Sequence, residues 1–430
     1  MIESTHKLPA KFGPYYLFEM IGKGGMAEIF LAKTFTNLGT ERLCVLKRIL
    51  PHLNEDKSFC EMLISEAKLC ANLSNTNIVQ TYELGQIAGQ YYIAMEYVEG
   101  VDLNQLLGLL SRAKIALPLP FALFIIIETL RGLDHAHRLE DADDGPLKIV
   151  HRDVSPTNVL ISTEGEVKLC DFGIAKVAIS DDHETDKNLD EYHLKGKVAY
   201  MAPEHIAGEQ IDLRADLFAA GILLWELLSG RRLFKRKDEA ETFKLATDAD
   251  IQPLVDRGFL EFETLEAIVH KALEKKPEDR FQSGQEFINA IEDYLHLSGQ
   301  IVSQLKFADF LMENFGEKLE QQRRERERHL SLLMKQLNEE EMSRQWYEED
   351  EKPSFTDSLL AGSDEIDDDN DDDEFDEFDE FDNYKSDIPP QKIEPQSSTD
   401  GKKKIAWVRI FLAFAAAAAF AGTLYYLDIF

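Results

Sequence analysis

Cysteine is scarce in this chain of 430 residues. There are four, Cys44, Cys60, Cys70 and Cys170, without a Cys-x-x-Cys spacing or a neighbouring histidine cluster. That excludes a disulfide framework and a zinc knuckle, and leaves reduced thiols of a cytosolic domain. An apolar run is missing from residues 1–16, so no secretory signal peptide is expected. Positive charge is also short: 47 Lys and Arg stand against 80 Asp and Glu, a net charge of −33, which disfavours binding to nucleic-acid phosphates. The deficit is local. Residues 339–400 hold 25 Asp and Glu against 4 Lys and Arg, a charge of −21, as in a solvated acidic tail rather than an acidic enzyme.

Apolar residues make up 44% of the chain and aromatics 10%, enough for a sizeable core, and the length suits two or three units. Residues 17–100 alternate short apolar runs with glycines and contain one amphipathic segment, Phe59–Leu73, which reads as a small sheet with one helix. From residue 119 helical periodicity takes over, at Leu119–His137, Leu213–Leu228, Leu260–Leu273 and Gln285–Leu295, interrupted by strand-like pieces at Val159–Ile161 and Val167–Leu169. Strands first and helices after predict an α+β chain with two lobes over residues 15–296.

Beyond that the character changes. Residues 297–352 form a charged helical region in which Glu317–Glu351 reads as a solvent-exposed helix, its leucines too irregular for a sustained heptad. Residues 353–400, with a threefold Asp-Glu-Phe repeat at 373–381, carry too little apolar area to offset ordering entropy and are expected to be disordered. Their acidity suits a basic cytoplasmic partner or a plain spacer. Within 405–427, Ile410–Leu427 runs 18 residues without a charge, about 27 Å as a helix, just enough for a bilayer core. Lys402, Lys403, Lys404 and Arg409 mark the cytoplasmic side, and Trp407, Tyr425 and Tyr426 sit at interfacial depth. A single-pass tail anchor is expected, with the large domain in the cytoplasm.

The chemistry-bearing residues come in order. A glycine-rich turn, Gly22-Lys23-Gly24-Gly25-Met26-Ala27-Glu28-Ile29, lies between apolar runs, where glycines let backbone approach phosphates. Val45-Leu46-Lys47 ends a strand on a single cation, and Glu66, nineteen residues later on the amphipathic helix, could pair with it. Then follow His151-Arg152-Asp153 with Asn158, Asp171-Phe172-Gly173, and Ala202-Pro203-Glu204. Any one of these could arise by chance; the ordered set resembles the protein-kinase signature, and looks like a bacterial member of the eukaryotic-like serine/threonine kinases.

The resemblance implies a bilobal fold, ATP and Mg²⁺ as cofactors, and protein substrates. It implies that Lys47 holds the α- and β-phosphates and is oriented by Glu66. Asp153 would accept the proton of the acceptor hydroxyl, and Asn158 and Asp171 would hold the metal ions. Ile21 through Ile29 would cover the phosphates. Met95-Glu96-Tyr97-Val98 resembles the hinge, with the Glu96 carbonyl and the Val98 backbone bonding adenine, Asp102 placed for the ribose, and Val45 and Leu160 sandwiching the base. Asp216 looks like the aspartate that braces the catalytic loop, and Glu204 with Arg280 like the buried ion pair of the large lobe. Arg152 implies an activation segment ordered by phosphate, with Ser180, Thr185 and Tyr192 as acceptors and Thr185 favoured.

Four positions depart from the pattern. Ala27 replaces the third glycine, and Val45 stands where alanine is usual. Ser155 replaces the lysine that serine/threonine kinases carry two residues after the aspartate, which removes a cation from the γ-phosphate. Lys197 stands where a threonine usually follows Gly196, and a lysine there could supply the missing charge. Tyrosine kinases also lack the catalytic-loop lysine, but Tyr200-Met201-Ala202-Pro203-Glu204 favours serine/threonine specificity. The alternatives to an active enzyme are a pseudokinase and a membrane-tethered scaffold.

Overall fold

Tyr15, Leu17, Phe30, Ala32, Cys44 and Leu46 alternate with residues facing the other way, so three consecutive strands share one buried apolar face. In the computed structural model these strands are β2 (Tyr15–Lys23), β3 (Ala27–Phe35) and β4 (Glu41–Ile49), antiparallel, with Leu17 opposite Ala32 and Ala32 opposite Cys44. With β1 (Ala10–Phe12), β5 (Thr81–Ile87) and β6 (Gln90–Glu96) they make a six-stranded sheet of order β1-β2-β3-β4-β6-β5. The structure describes residues 8–35, 41–54, 60, 61, 63, 64, 73–141, 145–147, 149–172 and 197–350, all within one compact unit, Met1–Lys352. Of the helix expected over Phe59–Leu73, Cys60, Glu61, Leu63 and Ile64 are helical; Glu66 lies outside the described residues.

A second sheet joins the lobes. β7 (Gly100–Asp102) pairs with β10 (Val159–Ser162), which pairs with β11 (Val167–Leu169). A side chain at Gly100 would fall 1.9 Å from the Ile161 carbonyl oxygen, so only glycine admits this approach. β8 (Glu140–Asp141) and β9 (Gly145–Pro146) form a small hairpin.

The large lobe is helical. It holds α1 (Leu103–Ala113), α2 (Leu119–His137), α3 (Pro203–Ile206), α4 (Leu213–Ser229), α5 (Glu239–Asp248), α6 (Phe262–Ala272) and α7 (Gly284–Leu297). α2 and α4 are apolar on nearly every face and lie at the centre of the core, as a helix without a polar side must. Asp212 caps the start of α4 by accepting from Arg214 N, and Gly230, left-handed at φ 68°, ends it.

One expectation is corrected. The charged helix is longer and less exposed than its composition suggests: α8 runs Gln304–Asp350, and one stripe of it is buried. Phe307, Leu311, Phe315 and Leu319 join the large-lobe core, with Phe307 ringed by Phe121 and Phe124. Among the described residues no helix is long and apolar enough to cross a membrane; the Ile410–Leu427 segment and the acidic stretch lie outside them.

Candidate active site

Between the two sheets opens a cavity of about 540 Å³, within the range of small-molecule sites. Ile21, Ile29 and Val45 line it from the small lobe, Met95, Glu96, Tyr97 and Val98 from the connection between lobes, and Asp102 and Leu160 from the joining sheet. Lys47 and Asp171 close its inner end. β4 carries Lys47 directly opposite Ile29 of β3, which aims the ammonium inward, where its Nζ donates to Asp171 Oδ1 at 2.7 Å. Burial works against both charges, but each partner more than offsets it. The lysine is held above its usual range and the carboxyl below the usual carboxylate range.

Neither Gly22 nor Gly24 takes a left-handed conformation, and a side chain at Gly24 would meet nothing closer than Ala27 O at 3.8 Å. The fold itself does not demand glycine there, so the missing side chains leave room for something outside the chain. Lys23, Gly24 and Gly25 are exposed. Ala27 packs with Met26 and Ile49 in the small-lobe core, and Glu28 accepts from Arg48 Nη2 at 2.8 Å in a buried pair. The side chains of Met26, Ala27 and Glu28 therefore build the sheet and leave any phosphate contact to the backbone.

Below the cavity, Asp216 of α4 organises a loop that would otherwise be strained. Arg152 and Asp171 both have positive φ, at 61° and 54°, a region costly for side chains other than glycine. Asp216 accepts the backbone N–H of His151 at 2.7 Å, that of Arg152 at 2.8 Å, and His137 Nε2 at 2.8 Å. His151 is fully buried, donates from Nε2 to the Cys170 carbonyl at 3.1 Å, and packs on Phe172. Its burial outweighs the neighbouring carboxylates and keeps the imidazole neutral. The result presents Asp153, whose carbonyl accepts from Asn158 Nδ2 at 2.8 Å.

Lys197 Nζ lies 2.5 Å from Asp153 Oδ2. Ser155, where a lysine was expected, is buried and shares a hydrogen bond with Thr157 at 3.1 Å. The cation absent from the catalytic loop is thus matched by one arriving from the segment before Ala202-Pro203-Glu204. Glu204 and Arg280 form two parallel 2.7 Å hydrogen bonds, and Arg280 is 1% exposed and set over Phe218. Gly173, Ser180, Thr185 and Tyr192 lie outside the described residues.

Some lining residues were not legible as such: Gln322, Glu325, Arg326 and His329 of α8 border the cavity. These four follow the 3.6-residue spacing of the buried stripe from Phe307, a signal that a search for leucine heptads passes over.

Asp171 and Asn158 are hard oxygen donors, Lys47 is a fixed cation, and the cavity combines apolar walls such as Ile29, Val45 and Leu160 with polar groups, a set that fits a nucleotide with a divalent ion. Comparison with known proteins agrees. A family model described as "Protein kinase domain" matches residues 15–295. The chain is 42% identical to the tyrosine-protein kinase MasK of Myxococcus xanthus over 71% of its own length and 47% of that protein's. It is 31% identical to the serine/threonine-protein kinase PknD of Mycobacterium tuberculosis over 70% of its length and 42% of that protein's, so it spans about half the length of these relatives or less. The crystal structure of the Mycobacterium tuberculosis PknI kinase domain superposes with a TM-score of 0.48 at 27% identity, over 66% of this chain and 98% of that one.

Proposed function

We propose, from the premise that this chain belongs to the protein kinase family, that it transfers the γ-phosphoryl group of ATP to serine or threonine hydroxyls of proteins, itself included. The observation that carries the reading is the Lys47–Asp171 pair at the closed end of the cavity. A cation and a carboxylate are held 2.7 Å apart there, an arrangement that suits the end of a triphosphate with its metal ion.

In this reading the adenine lies between Val45 and Leu160 and bonds the backbone of Glu96 and Val98. Asp102 already accepts from Gln105 N at 2.7 Å as the cap of α1, and turns its second oxygen to the ribose. Asn158 and Asp171 would hold Mg²⁺, which when bound would neutralise charge on the phosphate oxygens. Asp153 orients the acceptor hydroxyl and takes its proton as the new O–P bond forms and the bond to the ADP oxygen breaks. Lys197, beside Asp153, balances the charge that Ser155 leaves unbalanced. Phosphorylation of Thr185 orders the activation segment toward Arg152.

Tyrosine specificity is the second reading. It is favoured by the absent catalytic-loop lysine and by MasK, which is named a tyrosine kinase. Phosphoamino-acid analysis of purified full-length chain incubated with Mg-ATP, beside Asp153→Asn, separates the readings. Phosphoserine or phosphothreonine supports ours and phosphotyrosine the other. No incorporation in either protein supports a pseudokinase or scaffold. We further propose that Ile410–Leu427 anchors the kinase to a membrane, facing cytoplasmic ATP, with the acidic stretch as its spacer.

A further inference from the structure

We infer that α8 is a strap across the two lobes that forms an outer wall of the nucleotide site and slows nucleotide release. The inference rests on the kinase reading of that site. A single stripe of the helix is covered over seven turns, at Phe307, Leu311, Phe315, Leu319, Gln322, Arg326, Leu330 and Leu333, in steps of three and four residues. From Phe307 to Leu333 that is about 39 Å of helix, long enough to pass from one lobe to the other.

The lower third is fastened to the large lobe by Phe307 against Phe121 and Phe124, and by Gln304 Nε2, which donates to the Glu164 carbonyl at 3.0 Å. Farther along, Leu330 and Leu333 fasten the helix to the small lobe. Leu333 is 2% exposed and packs with Phe18, Leu31 and Val45, and Leu330 adds to the same cluster. Val45, Ile29 and Met95 belong both to that cluster and to the cavity wall, so the helix backs the surface that would roof the base.

The middle third crosses the mouth. Arg326 donates to Glu99, just past the hinge, at 2.8 Å and lies over the Tyr97 ring at 5.5 Å. Arg323 approaches the same carboxylate at 3.7 Å. On the other side of the mouth His329 stands 3.7 Å from a buried Glu19 oxygen that has no hydrogen-bond partner among the described residues. Held to the large lobe at Phe307 and to the small lobe at Leu333, the helix resists separation of the lobes, and a bound nucleotide must pass the stretch between them to leave.

The test measures dissociation of a fluorescent ADP analogue and KM for ATP in the full-length chain. Arg326→Glu should raise both by about 5-fold or more, the scale of a typical coupling between elements. Glu99→Arg should do the same, and the double exchange should restore most of the loss. Leu333→Asp, which undocks the upper end, should match the single charge variants, with kcat at saturating ATP changed less than KM. Unaltered release in Arg326→Glu, or no recovery in the double exchange, overturns the strap. Tighter binding in these variants overturns it too, and makes the helix an occluding segment. A wild-type chain that binds no nucleotide refutes the kinase reading instead.

Discussion

At the scale of single residues, the position of Lys197 changes what the loss of a catalytic-loop lysine means. Its ammonium and the Asp153 carboxylate are 2.5 Å apart, so in the proposed reading the cation stands within reach of a phosphoryl group passing to a hydroxyl held by Asp153. Lys197→Ala should lower kcat by roughly 10²-fold, the scale of removing one preorganised charge from a phosphoryl-transfer site, while KM for ATP changes little. Ser155→Lys in that background should restore much of the rate, measured by steady-state phosphate incorporation; absence of rescue would remove Lys197 from the mechanism. Asp171→Ala should abolish transfer at any Mg-ATP concentration, because metal ligand and lysine partner are lost together. His151 makes a prediction in pH. Burial keeps its folded-state pKa below the ordinary 6.5, although Asp216, Asp153 and Asp171 pull it upward. As pH falls below about 6.5 the unfolded chain takes up a proton that the folded chain refuses, so this residue's contribution to stability declines on acidification. Urea unfolding of His151→Gln should therefore show a smaller drop between pH 7 and pH 5 than the parent.

At the scale of elements, the large lobe depends on a few buried charges that tie helix starts to loops. Arg280 donates to both oxygens of Glu204 and also to the carbonyls of Glu274 and Lys275. Glu204→Ala leaves a guanidinium buried against Phe218 without its carboxylate and with two of its five hydrogen bonds gone, and should cost about 3–5 kcal/mol in chemical denaturation. Adding Arg280→Met to that variant should return part of the loss, because no uncompensated charge is left. A second such cluster, Tyr200, Glu226 and Arg232, links the segment after Lys197 to α4, with Tyr200 Oη donating to Glu226 at 2.9 Å. Burial lifts the Glu226 carboxyl and the Tyr200 phenol above their usual ranges. The central helices were readable from their long apolar stretches, and α2 coincides with its expected span. α8 was not, because its contacts mix Phe, Leu, Gln and Arg, and an amphipathic stripe of mixed residues looks like a solvated face until something is packed on it.

At the scale of the whole molecule, the proposed arrangement is a kinase closed by α8 and carried on a membrane by Ile410–Leu427. Ala418→Arg places a charge at mid-span and should cost about 2.5–3.5 kcal/mol of insertion. Against a stretch rich in alanine, that should move much of the full-length chain from the membrane pellet to the soluble fraction, with kinase activity kept. A chain that still sediments after a high-salt wash would rule out this anchor.

Sequence by itself determined the two-lobed fold and the residues available for chemistry. In the proposed reading phosphoryl transfer requires particular groups at particular spacings, and Lys47, Asp153, Asn158 and Asp171 match them in kind, so they stand out against any background. Apolar period did the same for the central helices, since burial dictates it directly. Only the tertiary structure decided which groups meet. Lys197 and Asp153 lie 44 residues apart, and Arg326 and Glu99 lie 227 apart. Neither pair has a local signature, because a salt bridge between distant residues leaves no periodicity in either segment. Their meeting is set by the packing of α4 beneath the catalytic loop and of α8 along both lobes, where buried apolar area fixes the geometry and the charges follow it.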